Sequence, residues 1–447
     1  MKDINHFVQQ LITEHATSTP VCPPIELSLH FDAIFDVLNH HWNTAATTTI
    51  PSETKSDDVA VDTVDYISAA SILLRCPSIS PSCPFYRQTT IASILSAMSG
   101  SQRHLSSSFS PHTVPLVKLL FNICVTWRPA AKAVADEKGG VILCELLQRP
   151  MSAVDARLVC VLIERLVASH PAFPSGNLAN VVLVMLRHVM ITKKPKIFPH
   201  GQGRVELCLS LWNLLFAVIT MESKRTSDEN VSVDGMLDVV YVMLSLPDNI
   251  EGTVFQAQCA AINVLLHSRQ SLRELCQAGA ERESEGEGEG EGEGESGGEG
   301  GGEGKSTSVN DSHSRGRELY RAVVRACERW LIVYCVEKRR RKRIMDATLL
   351  PTVLILLRGM EDTPEIVRSV VESRLKGCDY LRKCVQSSMS TFGSSPRVSV
   401  AMGDLVMLLC ENRPDVLMKF AGTGAAMGVL QRRGLLQSGG TGNQAVV

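Results

Sequence analysis

The feature that most constrains this chain is a Leu-rich helical pattern that carries a polar residue at one place and returns every 42 to 50 residues. VKLLFNICV (Val117–Val125), LSLWNLLFAV (Leu209–Val218) and AAINVLLH (Ala260–His267) each hold an Asn inside an apolar run: Asn122, Asn213 and Asn263. VCVLIERLV fits between the first two with Glu164 in the Asn place, so the steps are 42, 49 and 50 residues. Apolar residues returning every three or four positions mark the buried face of a helix. A period of about 40–50 residues is that of armadillo or HEAT units of two or three helices. Such a unit cannot bury its apolar face alone, so neighbours stack into a superhelix with a concave groove. The expected fold is therefore all-α, an armadillo- or HEAT-like helical-repeat superhelix. Within it the Asn amide has two compatible readings. It bonds a carbonyl of the adjacent repeat, or it grips a peptide lying in the groove.

Breaks in the pattern are consistent with this. They fall at Pro77–Pro84, Ser106–Pro111, Pro129, Gly139-Gly140, Pro150, Pro171–Gly176, Pro195–Gly203 and Pro247, with apolar segments of one to four turns between them. Helices are also expected around Ile4–Glu14 and Leu27–His40, before a polar loop over Ala45–Asp58. Aromatic residues make up only 5% of the chain, so Leu, Val, Ala and Ile must do the packing, which suits stacked helices better than a β-sandwich. Most of the 14 cysteines lie inside apolar runs, as Cys124, Cys160, Cys208 and Cys410 do, and read as small hydrophobes in a reducing compartment rather than as disulfides. The first twenty residues include Lys2, Asp3 and Glu14 and lack the apolar core of a secretory signal. The longest uncharged apolar run, Leu209–Met221, is short for a bilayer span.

Composition divides the chain. Residues 281–304 hold ten Glu and one Arg, a net of −9 against −2 for the whole chain, which leaves +7 for the rest. Alternating Glu and Gly cannot build a core. The expected organisation is N-terminal helical repeats over 1–280, an acidic Glu/Gly-rich disordered insertion over 281–316, C-terminal helical repeats over 317–436, and a flexible tail over 437–447. The mildly basic body implies attraction for acidic peptides, phosphate groups or nucleic acid without choosing among them. Its strongest charge feature is Lys338–Arg343, six consecutive cations expected to end a long helix begun near Glu318. That run reads as a nuclear-localisation signal, as a solvated helix end beside the negative pole of the dipole, or as a patch for an acidic partner or phosphate.

Motifs for bond-making chemistry are weak. Gly304-Lys305-Ser306 ends like a phosphate-binding loop, but Glu299 stands where that loop needs Gly, and no strand precedes it. Gly422-Thr423-Gly424 with Gly428 follows a helix rather than a strand, so a dinucleotide would have no scaffold there. No C-x-x-C pair, G-x-S-x-G or H-E-x-x-H is present. The chain is expected to be no enzyme, with no catalytic residue, no metal site and no cofactor.

The segment Leu405–Leu436, LVMLLCENRPDVLMKFAGTGAAMGVLQRRGLL, reads as a buried helix, a turn at Pro414, an amphipathic helix, a Gly-rich loop and a last short helix. It resembles the last repeat of the synembryn family, proteins that act on the α subunits of heterotrimeric G proteins. Leu408-Leu409-Cys410, Lys419-Phe420, Gly422, Gly424, Ala426, Gly428, Leu430 and Arg433-Gly434-Leu435-Leu436 match the family's line. Thr423, Ala425 and Met427 stand where the family has Tyr, Asn and Ala. A fainter likeness extends back to about Ile67: LLFNICV and LSLWNLLFAV resemble the family's Leu-Asn helices, and LLPTVLILLRG, after a basic helix, resembles its V-L-P-P-L element.

The resemblance implies a guanine nucleotide exchange factor and folding chaperone for Gα subunits. Family members hold the Gα C-terminal helix in the concave groove and so loosen the nucleotide site. Arg75 and Asn122 match family positions on groove-lining helices and are the expected partner-binding residues, with Asn213 a weaker candidate. The implied partner is a Gα subunit, with no nucleic acid and no integral membrane segment, and the implied state is a cytoplasmic monomer recruited to the cell cortex or plasma membrane through Gα. Relatives continue past the R-G-L-L close with an acidic stretch and a further helix, whereas this sequence reaches Val447 after a Gly/Ser/Gln tail. From a different class stands a generic armadillo-type scaffold or adaptor that binds a peptide without nucleotide exchange.

Overall fold

A computed structural model describes residues 2–15, 31–40, 63–75, 79, 82–100, 112–170, 173, 177–191, 203–224, 236–246, 252–268, 308–336, 339–388 and 396–435. Among these the fold is all-helical, with nineteen helices and no strand. The chain forms two compact units, Met1–Ser227 and Asp228–Val447.

The first unit runs through α1 (Lys2–His15), α2 (31–40), α3 (Thr63–Leu73), α4 (Gln88–Gly100), α5 (Thr113–Thr126), α6 (Ala130–Asp136), α7 (Gly139–Leu147), α8 (Ala153–Ser169), α9 (Leu178–Ile191) and α10 (Arg204–Lys224). Its core is aliphatic, as the composition requires. α3 is buried from Tyr66 to Leu73 except at Ser68, so it is wrapped on nearly every side, and α1 and α5 pack on it. α8 starts on a reciprocal cap. The Ser152 hydroxyl accepts from the Asp155 N–H at 3.1 Å and donates to the Asp155 carboxylate at 2.6 Å, which satisfies an end donor and fixes the helix start. α10 packs along α8 and α9 with Trp212 wholly buried. Its window Arg204–Met221, which includes Arg204 and Glu206, is the one stretch among the described residues long and apolar enough to cross a membrane. Half of the window is buried in the unit, as in the core helix of a folded domain.

The second unit comprises α11 (Met236–Ser245), α12 (Thr253–His267), α13 (Ser308–Val336), α14 (Arg339–Asp362), α15 (Pro364–Leu375), α16 (Asp379–Ser388), α17 (Pro396–Leu409), α18 (Pro414–Ala421) and α19 (Thr423–Arg432). α13 is its hub and packs on α11, α14, α15 and α16. Trp330 is wholly buried and takes the ring of Phe255 edge-on at 5.7 Å, an arrangement that matches the aromatic quadrupoles. The helices on either side of the Glu/Gly-rich stretch therefore belong to one packed body.

Several local expectations change. α13 begins at Ser308, so 308–316, assigned by composition to the insertion, is helical and Gly316 is buried; 271–307 lies outside the described residues, as do Ala45–Asp58 and the tail. The basic run does not end a helix. Arg339 opens α14, at the positive pole of the helix dipole, so the favourable C-terminal reading of those charges fails. Pro351 sits inside α14. At the Gly139-Gly140 break the left-handed residue is Lys138 (φ 57°), while Gly139 serves packing: a Cβ there would lie 2.4 Å from Val134 Cγ1. The C-terminal glycine loop shrinks to one residue. Gly422 (φ 83°) joins α18 to α19, and Gly424 and Gly428 lie within α19. Glu411 and Asn412, both left-handed, make the turn before Pro414.

Burial sets the state of the thiols. Cys124, Cys208 and Cys327 are pushed up to about 12, and Cys83 and Cys144 to about 11, by loss of solvation for the thiolate. They are protonated packing groups at neutral pH.

Candidate functional site

A cavity of about 400 Å³ opens in the first unit where α1, α3, α5 and α8 meet. Arg75, just past the end of α3, and Asn122, on α5, both line it. These residues are 47 positions apart in sequence, and the packing of α5 on α3 brings them together.

The local reason lies at the end of α3. The last carbonyls of a helix have no partner within it. Here the Leu74 N–H bonds Ala70 O and the Arg75 N–H turns to Ile72 O, each at 3.0 Å, so the intervening Ser71 carbonyl is passed over. Asn122 takes it: its Nδ2 group donates to Ser71 O and to Ser71 Oγ, each at 2.7 Å. The Asn amide thus caps the neighbouring helix from the side. These two bonds give it a structural role beside its place in the cavity lining. Thr126 anchors the same turn of α5 by donating to Asn122 O at 2.7 Å.

Lys118 lies one turn before Asn122 and Pro115 one turn before that, so 115, 118 and 122 form one stripe of α5 along the cavity. Ser68, Ser71 and Ile72 supply the α3 wall, with Phe121 and Leu158 adding apolar surface from α5 and α8. Among the described residues the lining combines two cations, two hydroxyls, an amide and apolar side chains, with no Asp, Glu, His or Cys. Such a surface binds; it offers no nucleophile with a base beside it. Chemically it suits a short apolar segment that carries a carboxylate.

Asn213 stands elsewhere. It is half-buried on α10, outside this cavity, and no partner holds its side chain among the described residues. Glu164, in the Asn place of α8, is half-buried with its carboxyl raised by desolvation. Asn263 offers its backbone carbonyl to His267 Nδ1 at 2.9 Å. The polar position thus recurs without a recurring bond. Sequence reasoning missed Lys118 and Ser71. The i, i+4 spacing of Lys118 and Asn122 was a signal for the first; the pairing of Ser71 with Asn122 is purely tertiary.

At the other end of the chain, the family-like segment is held by its neighbours. Arg433 pairs with Asp404 at 2.7 Å, Gln386 donates to the Ala421 carbonyl at 3.0 Å, and Gly403 lets Val429 approach to 3.2 Å from where a Cβ would be. Among the described residues no group of three His, Cys, Asp or Glu side chains could hold a metal ion. Compared with known proteins, the chain matches no family model and no curated protein.

Proposed function

We propose that this protein binds the α subunit of a heterotrimeric G protein and acts on it as a guanine nucleotide exchange factor and folding chaperone. The observation that carries the reading is the meeting of Arg75 and Asn122, chosen by resemblance to synembryns, in one cavity with Lys118 beside them. In this reading the helices are armadillo- or HEAT-type repeats stacked as a superhelix, and the cavity is part of the groove that takes the Gα C-terminal segment. Arg75 and Lys118 attract its carboxylate, while Phe121, Ile72 and Leu158 cover its apolar side chains. No catalytic side chain is needed. A groove that holds the C-terminal helix of Gα more tightly in the nucleotide-free state shifts the population toward that state, so GDP leaves. The same grip shields a nascent Gα chain. The protein then works in the cytoplasm as a monomer and reaches the membrane through its partner.

The experiment is a pull-down of purified Gα subunits on the immobilised chain, with Arg75→Ala as the variant. The expected result is capture of GDP-bound Gα by the parent and a loss of about tenfold or more in affinity for the variant, the scale of a charge-assisted hydrogen bond. Capture of peptides but of no Gα would favour the scaffold reading.

A further inference from the structure

A second cavity, in the 228–447 unit, has a different chemistry. It encloses about 320 Å³ between α11, α13 and α15. Arg321 and Arg325, one turn apart on α13, form one wall, and Arg374 joins them from α15. Ser369 and Ser373, also one turn apart, and Tyr241 of α11 add hydroxyls. Glu318 is the one acidic side chain among the described residues that line it, which together carry a net charge of +2.

Arg325 is held by its own helix, and Arg374 has one weak ion pair. Arg325 Nε donates to the Arg321 carbonyl at 3.2 Å, which pins its stem along the helix. Neither Arg321 nor Arg325 pairs with a carboxylate among the described residues. Arg374 reaches Glu328 only at 3.7 Å, with both side chains partly exposed, and such a pair is readily exchanged for a better one. Among the described residues three guanidiniums and one carboxylate line this space, so positive charge predominates. This costs repulsion unless an anion fills the space.

We propose that this cavity is a binding site for a phosphate monoester, presented as phosphoserine or phosphothreonine in a peptide. Guanidinium forks match the oxygens of a tetrahedral phosphoryl group two at a time, and hydroxyls take the remaining lone pairs. A monoester carries about −1.5 to −2 near neutral pH, which balances the lining, whereas a single carboxylate leaves a cation unmatched. The volume exceeds that of a phosphoryl group and leaves room for adjacent peptide. Nucleic acid fits less well. Tyr241 is the one aromatic side chain among the described lining residues, which offer no platform for successive bases, and the repeated charges of a phosphodiester backbone would pass Glu318. The site lies in the other unit from Arg75 and Asn122 and stands whether or not Gα is the partner.

The test is fluorescence anisotropy of the full chain with a phosphoserine peptide pool of degenerate flanks, the unphosphorylated pool, and a short single-stranded oligonucleotide, with inorganic phosphate as competitor. The phosphopeptide pool should bind saturably, be displaced by phosphate, and exceed the unphosphorylated pool. Arg321→Ala and Arg325→Ala should each weaken it about tenfold or more. Both residues are exposed, so circular dichroism should be unchanged. Glu318→Gln should tighten it, which no loss of folding could mimic. Equal binding of both pools, unchanged affinity in Arg321→Ala, weaker binding in Glu318→Gln, or tighter binding of the oligonucleotide would each overturn the assignment.

Discussion

Replacing Asn122 by Ala tests the cap that joins α5 to α3. The substitution removes two hydrogen bonds of 2.7 Å, one to the Ser71 hydroxyl and one to the Ser71 carbonyl. A neutral bond contributes about 1 kcal/mol net, and an acceptor left without a partner costs about 1–3 kcal/mol more when buried. The hydroxyl can rotate to a new partner, but the carbonyl cannot. Because the site is only part-buried, water recovers some of the loss, and the expected cost is about 2 kcal/mol. For a unit of this size, spanning Met1–Ser227, that corresponds to a fall of about 4–8 °C in the melting of the first unit. Ser71→Ala removes one bond of the two and should cost about 1 kcal/mol. The double variant should cost less than the sum, since the bond between the two side chains can be lost only once. Thermal melts followed by circular dichroism give all three values. An Asn122→Ala protein melting within about 1 °C of its parent, or strict additivity of the pair, would refute the capping argument. The sequence suggests that this substitution acts on binding more than on stability. The Ser71 bonds add a cost in stability to whatever the substitution does to binding, so the two are measured separately.

Two glycines make a matched pair. Gly139→Ala places a methyl 2.4 Å from Val134 Cγ1 and 2.8 Å from Val134 O and should destabilise the first unit by about 1–3 kcal/mol, whereas Gly424→Ala, with nothing within 4 Å and a position inside α19, should be neutral or stabilise by up to about 1 kcal/mol; urea midpoints of both variants decide. Alkaline pH should weaken the fold through its thiols. Cys124, Cys208 and Cys327 stay protonated up to about 12 when folded but ionise near 9 when unfolded, so their contribution is intact below about 9 and lost as pH rises toward about 12. Cys208→Ala should flatten that limb of a stability–pH curve, and a parent curve level between pH 9 and about 11 would contradict the assignment. Removing the Arg433–Asp404 pair, about a third exposed on each side, should cost under about 1 kcal/mol in a melt of Asp404→Ala.

The helices were legible in the sequence because their cause is local. Leu, Val and Ala at helical spacing, interrupted by Pro and Gly, set where chains of this composition turn, and Pro129, Pro150 and Pro414 lie at or beside helix starts as read. Where the local signal competes with tertiary packing, the reading slipped. Pro351 looks like a boundary but is carried inside α14, whose buried Leu349, Val353 and Leu356 pack against the unit's core. Gly424 and Gly428 look like a loop, yet Ala425, Ala426, Val429 and Leu430 bury one face of α19 and hold it helical. Half of the first cavity was legible for a similar reason. Asn122 is conspicuous within an apolar run and Arg75 follows one, but their meeting, the role of Ser71 and the second cavity's arginines depend on which helices pack together, and no local pattern records that.

Release of fluorescent GDP from a purified Gα subunit tests the proposed action on Gα. Added protein should accelerate release. The acceleration should fall when the last residues of Gα are deleted, and again when Arg75→Ala replaces the parent chain. A release rate unchanged by the protein, together with no stable complex with the nucleotide-free subunit, would contradict the claim.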